Sequence, residues 1–406
     1  MTIKYIFLLQ IHVSNHATTP DHCSTYALSD PKDQCFRIDC DQRHGDSCPQ
    51  CEVLKAAVKE VEEAITAAPL LEDERDDLQF AFHQARLAIE SWKAHQLRSL
   101  QQDKARTTIL DCLDEKSVLI TQDWAMKWLP QRYRETQADW FGKRGISWHI
   151  SVVVRKVAGQ LEQQTFVHII EDCSQDATAV VQVLQHTLKE LKAQNPELTN
   201  AALRQDNAGC YHSVVMLSAC RLMGEATGIH VRRVDFSDPQ GGKGPCDRRA
   251  ATIKTHVRYY INQGHDVLTA HDFMEAMLSH GGMSGVRVAL VSDNADKSEQ
   301  EVAGRWEGIN SYNNFLYKEG FVTVWKAYNI GQGKTLPWSQ LQGNNYIRDI
   351  NYQESCNCRD QTNLFHLYFH IVTIQAMPSK TIIAKQNCGK FDLSSFPHHS
   401  TGFSSN

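Results

Sequence analysis

The spacing of apolar positions changes several times along the chain, and each change marks an element. Leu54, Val58, Val61 and Ile65 recur at helical spacing from Glu52 onward. Pro69 and the acidic run Glu72-Asp73-Glu74 then punctuate the chain. Acids suit a helix start, where the dipole is positive. A second helix follows with Leu78, Phe82, Ala85, Ile89 and Trp92 in phase, and it runs on through Leu97 and Leu100 towards Leu113. Two antiparallel helices are expected, packed within one helical module or used as a dimerising arm.

From Ser117 the pattern turns to short β-rich runs. Val118-Leu119-Ile120 is a strand ending at Asp123, and residues 146–154 and 165–170 are two more. Residues 175–193 read as a helix with Val180, Val183, Leu184, Leu188 and Leu191 as its stripe. A strand at Ala201-Ala202-Leu203, a helix over 211–223, a strand over 229–236 and a helix over 248–263 complete the order β-β-β-α-β-α-β-α. Three neighbouring strands before the first helix predict an α/β fold on a mixed sheet. Residues 267–280 add a helix, and 286–291 and 321–328 add strands. After Asn351 the pattern loses coherence, and the Ser-rich end from Ser394 is expected to be disordered. This divides the chain into an N-terminal segment (1–51), a helical arm (52–115), a core (116–265), an extension (266–350) and a poorly ordered tail (351–406).

The 406 residues are 42% hydrophobic, enough for a sizeable core. No run of apolar residues is long enough to predict a membrane-spanning helix. The start, Tyr5-Ile6-Phe7-Leu8-Leu9, has the look of a short secretion signal, but Gln10 and His12 interrupt it, and a strand or ragged start is the expectation. With the incoherent tail, it is what a truncated or mispredicted gene product would show. The balance of 42 Lys+Arg against 47 Asp+Glu, net −5, excludes a globally basic coat, so any polyanion site is a local patch. Two such excesses exist. Residues 127–156 hold seven Lys/Arg against two acids, and residues 229–264 hold seven against three. Trp124, Trp128, Tyr133, Trp140, Phe141 and Trp148 crowd the first of them. Core packing is the plainer reading of these aromatics, and base stacking the functional one.

The 13 cysteines are an odd number, and five lie between Cys23 and Cys51. That clustering suits metal binding in a reducing compartment better than a disulfide scaffold. Cys40, His44, Cys48 and Cys51 follow the spacing C-x3-H-x3-C-x2-C and are the expected ligands of one structural zinc ion. His22, Cys23 or Cys35 can replace one member. So small a module has no core of its own, and the metal would supply its folding free energy.

Three acids stand where strands end or helices begin: Asp123, Asp206 and Asp247. Capping alone places Asp at such positions. If they converge at one sheet edge, their oxygens suit Mg²⁺ or Mn²⁺. Asp235 and Asp238 are rivals for the third place, but Asp238 follows a strand rather than sitting on a helix, so Asp247 is preferred.

This order of elements resembles an RNase H-like fold, in which the acids lie on the first strand, just after the fourth and on a helix after the fifth. The stretches TQDWAMKWLPQRYRETQADWFGKRGISWHISVVVRK, LRQDNAGCYHS and VDFSDPQGGKGPCDRRAATIKTH resemble a group of transposon-derived proteins. Related transposases carry a Gly-Lys-Gly stretch before an Asp and a later Lys, as Gly242-Lys243-Gly244, Asp247 and Lys254 do here. The resemblance spans roughly residues 20–340. It implies a DDE/D transposase core that hydrolyses DNA phosphodiesters and transfers strands. Asp123, Asp206 and Asp247 would be catalytic and hold the magnesium, while Lys243, Arg248 and Lys254 would contact DNA. A nuclear location and a homo-oligomeric assembly go with it. Two rivals remain: a domesticated DNA-binding or interaction protein that no longer cuts, and an RNase H-like nuclease using Glu171 or Asp172 as a fourth acid. Gln240-Gly241-Gly242-Lys243-Gly244 departs from a nucleotide phosphate loop, because Gly244 follows the lysine. Cys210 near His212 lacks an orienting third group for a nucleophile. Cys356 and Cys358 receive no role.

Overall fold

The computed structural model describes residues 13–14, 17–170, 174–238, 244–291, 306–340 and 352–354. The N-terminal stretch 1–12, Glu171, Asp172, Lys243 with the preceding Gly turn, and the tail with Cys356 and Cys358 lie outside the described residues. Among the described residues no helix is long and apolar enough to cross a membrane.

Two helices come first, α1 (Pro49–Ala67) and α2 (Glu72–Asp111). Strands β1 (Ser117–Trp124), β2 (Ser147–Val157) and β3 (Gln160–Ile170) follow. Then α3 (Ala177–Gln194), β4 (Asn200–Gln205), α4 (Val214–Thr227), β5 (His230–Phe236) and α5 (Pro245–Asn262) alternate. Helix α6 (Ala270–Leu278) and strands β6 (Val286–Val291), β7 (Asn314–Lys318), β8 (Phe321–Trp325), β9 (Lys334–Pro337) and β10 (Tyr352–Glu354) complete the order. All ten strands share one sheet in the order β10-β6-β3-β2-β1-β4-β5-β7-β8-β9. It is mixed: β1, β4 and β5 run parallel, and β2 is antiparallel to both its neighbours.

Central strands are apolar on both faces because helices cover both. Val118 and Ile120 enter a core with Val180, Leu184 and Leu188 of α3 and Met216 and Met223 of α4. Leu119 points the other way, onto Ile109 and Leu113 at the end of α2. On that second face Trp148, Ile150 and Val152 of β2 pack under Ile253 and Val257 of α5 and Phe273 of α6. Of the crowded aromatics, Trp128 and Trp148 are core, whereas Tyr133, Trp140 and Phe141 are exposed.

Three departures from the sequence pattern have physical causes. Strand β3 begins at Gln160, because β2 and β3 form a hairpin whose polar tip carries no apolar signal. Its turn residues Ala158 and Gly159 both have positive φ, the backbone twist that two-residue hairpins favour. Strand β7 is missing from the sequence reading because Asn314 and Lys318 bound a very short run; it pairs both β5 and β8. Helix α2 is two-natured. Leu78, Phe80 and Leu87 in its first half are exposed, while Leu97, Ala105 and Ile109 in its second half are buried. That second half packs on the sheet rather than only within a helical module.

Candidate active site

Register explains how the first two acids meet. In the parallel pair β1–β4, Gln122 stands opposite Gln205. Asp123 and Asp206 each come one residue later, at the carboxyl ends of neighbouring strands. Gln205 Nε2 donates to Gln122 Oε1 at 2.9 Å, and Gln122 Nε2 donates to Ser151 Oγ at 3.2 Å, all buried. These bonds lock the register on one face, and alternation turns the next residue of β1 to the other. Asp247 arrives from α5. Pro245 opens the helix, Gly244 N–H donates to Asp247 Oδ2 at 2.8 Å, and Cys246 Sγ donates to the Thr121 carbonyl at 3.3 Å. The last bond holds the helix start over the end of β1.

Asp123, Asp206 and Asp247 therefore line one cavity of about 400 Å³. Burial first, and then the charges of Asp206 and Asp247, push the Asp123 carboxyl up to about 7. Asp206 Oδ1 accepts from Asn207 N–H at 2.7 Å. Among the described residues none of the three is ion-paired. The rival acids are ion-paired: Asp238, which lines the same cavity, is bound by His95 and by Arg98 Nε at 2.9 Å, and Asp235 by Arg233 Nε at 2.7 Å and Asn314 Nδ2 at 2.7 Å. Among the described residues these three hard oxygen donors have no cationic partner, and their chemistry suits a hard divalent ion.

The basic residues divide. Arg248 lines the cavity. Lys254 does not; its ammonium lies 5.8 Å from the centre of the Trp148 ring. Lys243 lies outside the described residues. Several cations of residues 127–156 are answered by acids: Arg132 by Asp266 at 3.4 Å, Arg155 by Glu162 at 3.2 Å, and Lys143 by Glu135. Burial raises the Cys210 thiol, with the charges of Asp123 and Asp206 adding to it. His212 Nε2 bonds to the Ile309 carbonyl at 3.1 Å, and its ring stacks on Phe236. Neither residue is built as half of a nucleophilic pair.

Sequence reasoning missed one wall. Ser99, Gln102, Asp103 and Arg106 of α2 also line the cavity. Arg204 ties that wall to β4, donating to the Gln102 carbonyl at 2.7 Å and to Asp103 at 3.4 Å. Gln102 and Asn314 exchange hydrogen bonds of 2.9 and 3.0 Å. Two adjacent glutamines in a helix read as solvent-facing, and only the fold reveals that both are buried.

The zinc quartet is distributed rather than gathered. Cys40 and His44 group with Cys23, and Cys48 and Cys51 group with His22. Cys48 caps α1 and Cys51 sits in its first turn, so these two share a helix start that Cys40 and His44 do not reach.

The architecture is thus a mixed α/β sheet with a carboxylate-lined cleft at the ends of its parallel strands. Residues 100–324 match the family model described as "Domain of unknown function (DUF8701)", more than half of the chain, and the chain belongs to that family. The matched span holds all three acids and leaves the cysteine segment outside. No curated protein matches. Among solved structures, the Mos1 transposase paired-end complex with left transposon end is 12% identical, over 58% of this chain and 79% of that one, with a TM-score of 0.22. The pre-cleavage Mos1 transpososome is 10% identical, over 58% and 78%, TM-score 0.22. The Mos1 strand transfer complex is 12% identical, over 58% and 72%, TM-score 0.23.

Proposed function

We propose that this chain is a transposon-derived, nuclear, DDE/D-type protein with an RNase H-like core over residues 116–265, acting on DNA phosphodiester bonds. The observation that carries the reading is the set of three carboxylates, none of them ion-paired among the described residues, lining one cleft by virtue of the β1–β4 register and the start of α5. The strand order β3-β2-β1-β4-β5 with β2 antiparallel supports the fold assignment.

Asp123, Asp206 and Asp247 would hold Mg²⁺ or Mn²⁺, which when bound neutralise phosphate charge and activate water or a 3′-hydroxyl. The chain's own part is positional. The Gln122–Gln205 bond fixes the two strand-end acids side by side, and Gly244 N–H fixes one oxygen of Asp247. Arg248, beside Asp247 in the cavity wall, would draw a phosphate towards the acids. The exposed Tyr133, Trp140 and Phe141 leave from the same end of the sheet and offer faces for unstacked bases.

With Mn²⁺ present, the full chain is expected to nick supercoiled plasmid DNA, and Asp123→Asn or Asp206→Asn to slow nicking by roughly 100-fold or more. Unchanged nicking in both variants would overturn the reading. The chain's net charge of −5, with internal acids answering its local cations, favours one alternative, a domesticated DNA-binding or interaction protein that no longer cuts. Calorimetry separates the two: Mn²⁺ binding lost in both variants but no nicking in the wild type would favour the relic.

A further inference from the structure

Four of the five cysteines of the N-terminal segment, with two histidines, make two knots. In the first, His22, Cys48 and Cys51 are all buried, with ligand atoms within 4.8 Å of one another. In the second, Cys23, Cys40 and His44 meet the same limit. None of the described cysteines is in a disulfide.

In the second knot the sulfur–sulfur distance suits an ion. Cys23 Sγ and Cys40 Sγ stand 3.8 Å apart. A disulfide would need about 2.05 Å. Two thiolates on one tetrahedral zinc, each at about 2.3 Å, stand roughly 3.8 Å apart. His22 Nε2 is 3.0 Å from Cys51 Sγ, with both side chains buried. His44 Nε2 is buried without a hydrogen-bond partner, and its ring stacks on Tyr26 at 4.2 Å. A buried imidazole nitrogen left so is costly unless something else takes its lone pair.

The chain path explains why there are two knots. Cys48 and Cys51 are three residues apart at the start of α1, where a helix brings such positions to one side. Cys40 and His44 come from the irregular segment before that helix. His22 and Cys23 are consecutive, and each joins a different knot.

We propose that this segment binds two zinc ions, one on His22, Cys48 and Cys51 and one on Cys23, Cys40 and His44, yoked by the peptide bond between His22 and Cys23. Thiolate and imidazole donors select zinc over the hard ions that suit the cleft. Asp21 borders the first site, its carboxylate 3.7 Å from His22 Nε2 and ion-paired with Lys93 of α2. The segment is fastened to the rest of the fold. Ser24 Oγ donates to Gln101 at 3.1 Å, Asp30 pairs with Lys326 at 2.9 Å, and Phe36 enters the main core. The two ions therefore brace α2, whose later turns wall the cleft.

The test is zinc content of the full chain by mass spectrometry after purification with zinc and desalting. Two ions per chain are expected, with one retained in Cys40→Ser and one in Cys48→Ser. A wild-type value of one or none overturns the proposal, and so does retention of two ions by either variant. Cobalt titration of the wild type gives a second readout independent of variant folding. Its thiolate charge-transfer band should saturate at two equivalents, and saturation at one would overturn the proposal.

Discussion

Acidification should unfold this protein steeply, by about 3 kcal/mol for each pH unit between roughly pH 6 and pH 5. Three of the buried histidines are pushed furthest from the usual imidazole range. Burial pushes His149 down to about 3, and His168 well below the usual imidazole range. His186 is pushed down to about 4, again first by burial. His168 Nε2 and His186 Nδ1 are 2.7 Å apart, with Glu190, Arg287 and Lys189 the charges nearest the pair, and His149 Nε2 is 3.0 Å from the Tyr211 hydroxyl. A group whose folded pKa is depressed gives stability that is complete above its unfolded value, near 6.5. That stability is lost as the pH falls towards the folded value, because the unfolded chain takes up the proton first. Three such groups give an uptake of about three protons on unfolding.

Asp123 opposes them. Its folded carboxyl, raised to about 7, keeps a proton in this window that the unfolded chain has already released. The net uptake is then about two protons, each worth roughly 1.4 kcal/mol per pH unit. Urea unfolding at stepped pH in the presence of a chelator reads this slope. Asp123→Asn should steepen it towards three protons, and His149→Gln should flatten it towards one. A wild-type slope of the opposite sign, about one proton, would mean that the buried imidazoles are already charged in the folded chain. An unchanged slope in Asp123→Asn would mean that this carboxyl is ionised in the fold like an exposed one. Divalent cations should remove the Asp123 contribution, since they favour its ionised form.

Gly331→Ala should destabilise the fold by roughly 3 kcal/mol or more and release the N-terminal segment from the sheet. Gly331 has φ of +77°, a conformation that L side chains rarely adopt. An added Cβ would fall 2.4 Å from the Cys35 carbonyl oxygen and 2.6 Å from Phe36 Cα. Both are backbone atoms, and neither can swing aside. The same carbonyl accepts from Gly333 N–H at 2.8 Å, so the contact is part of the seam that fastens the segment beside β8 and β9. Limited proteolysis should show new cleavage near Cys35, with a lower unfolding midpoint in urea. An unchanged midpoint and digest would mean that this seam carries no weight.

Much of the fold was legible because its signals are local. The helical stripe of α3, the two-sided burial of β1 and β2, and Pro245 ahead of α5 each follow from residues within one or two turns. The candidate acids were legible as strand ends and a helix start. The hairpin tip between β2 and β3 was not, because strands that extend beyond a core lose their apolar alternation. Nor was β7, whose pairing with β5 and β8 stabilises a run too short to stand out.

The sequence by itself determined the order of elements from α1 to β6, the absence of a basic coat and the crowding of cysteines before α1. Tertiary structure decided which distant residues share a space. Parallel register set Asp123 beside Asp206, and the Cys246–Thr121 contact brought the start of α5, with Asp247, to the same cleft. Asp238, which lines the same cleft, and Asp235 differ from the three in being ion-paired, with His95, Arg98 and Arg233 as partners that only folding supplies. The cysteines were divided between two knots because His22 and Cys23 return from far upstream to meet them. Composition and periodicity act over a few residues, whereas a site depends on side chains that meet across hundreds, and that meeting is fixed by packing and strand register.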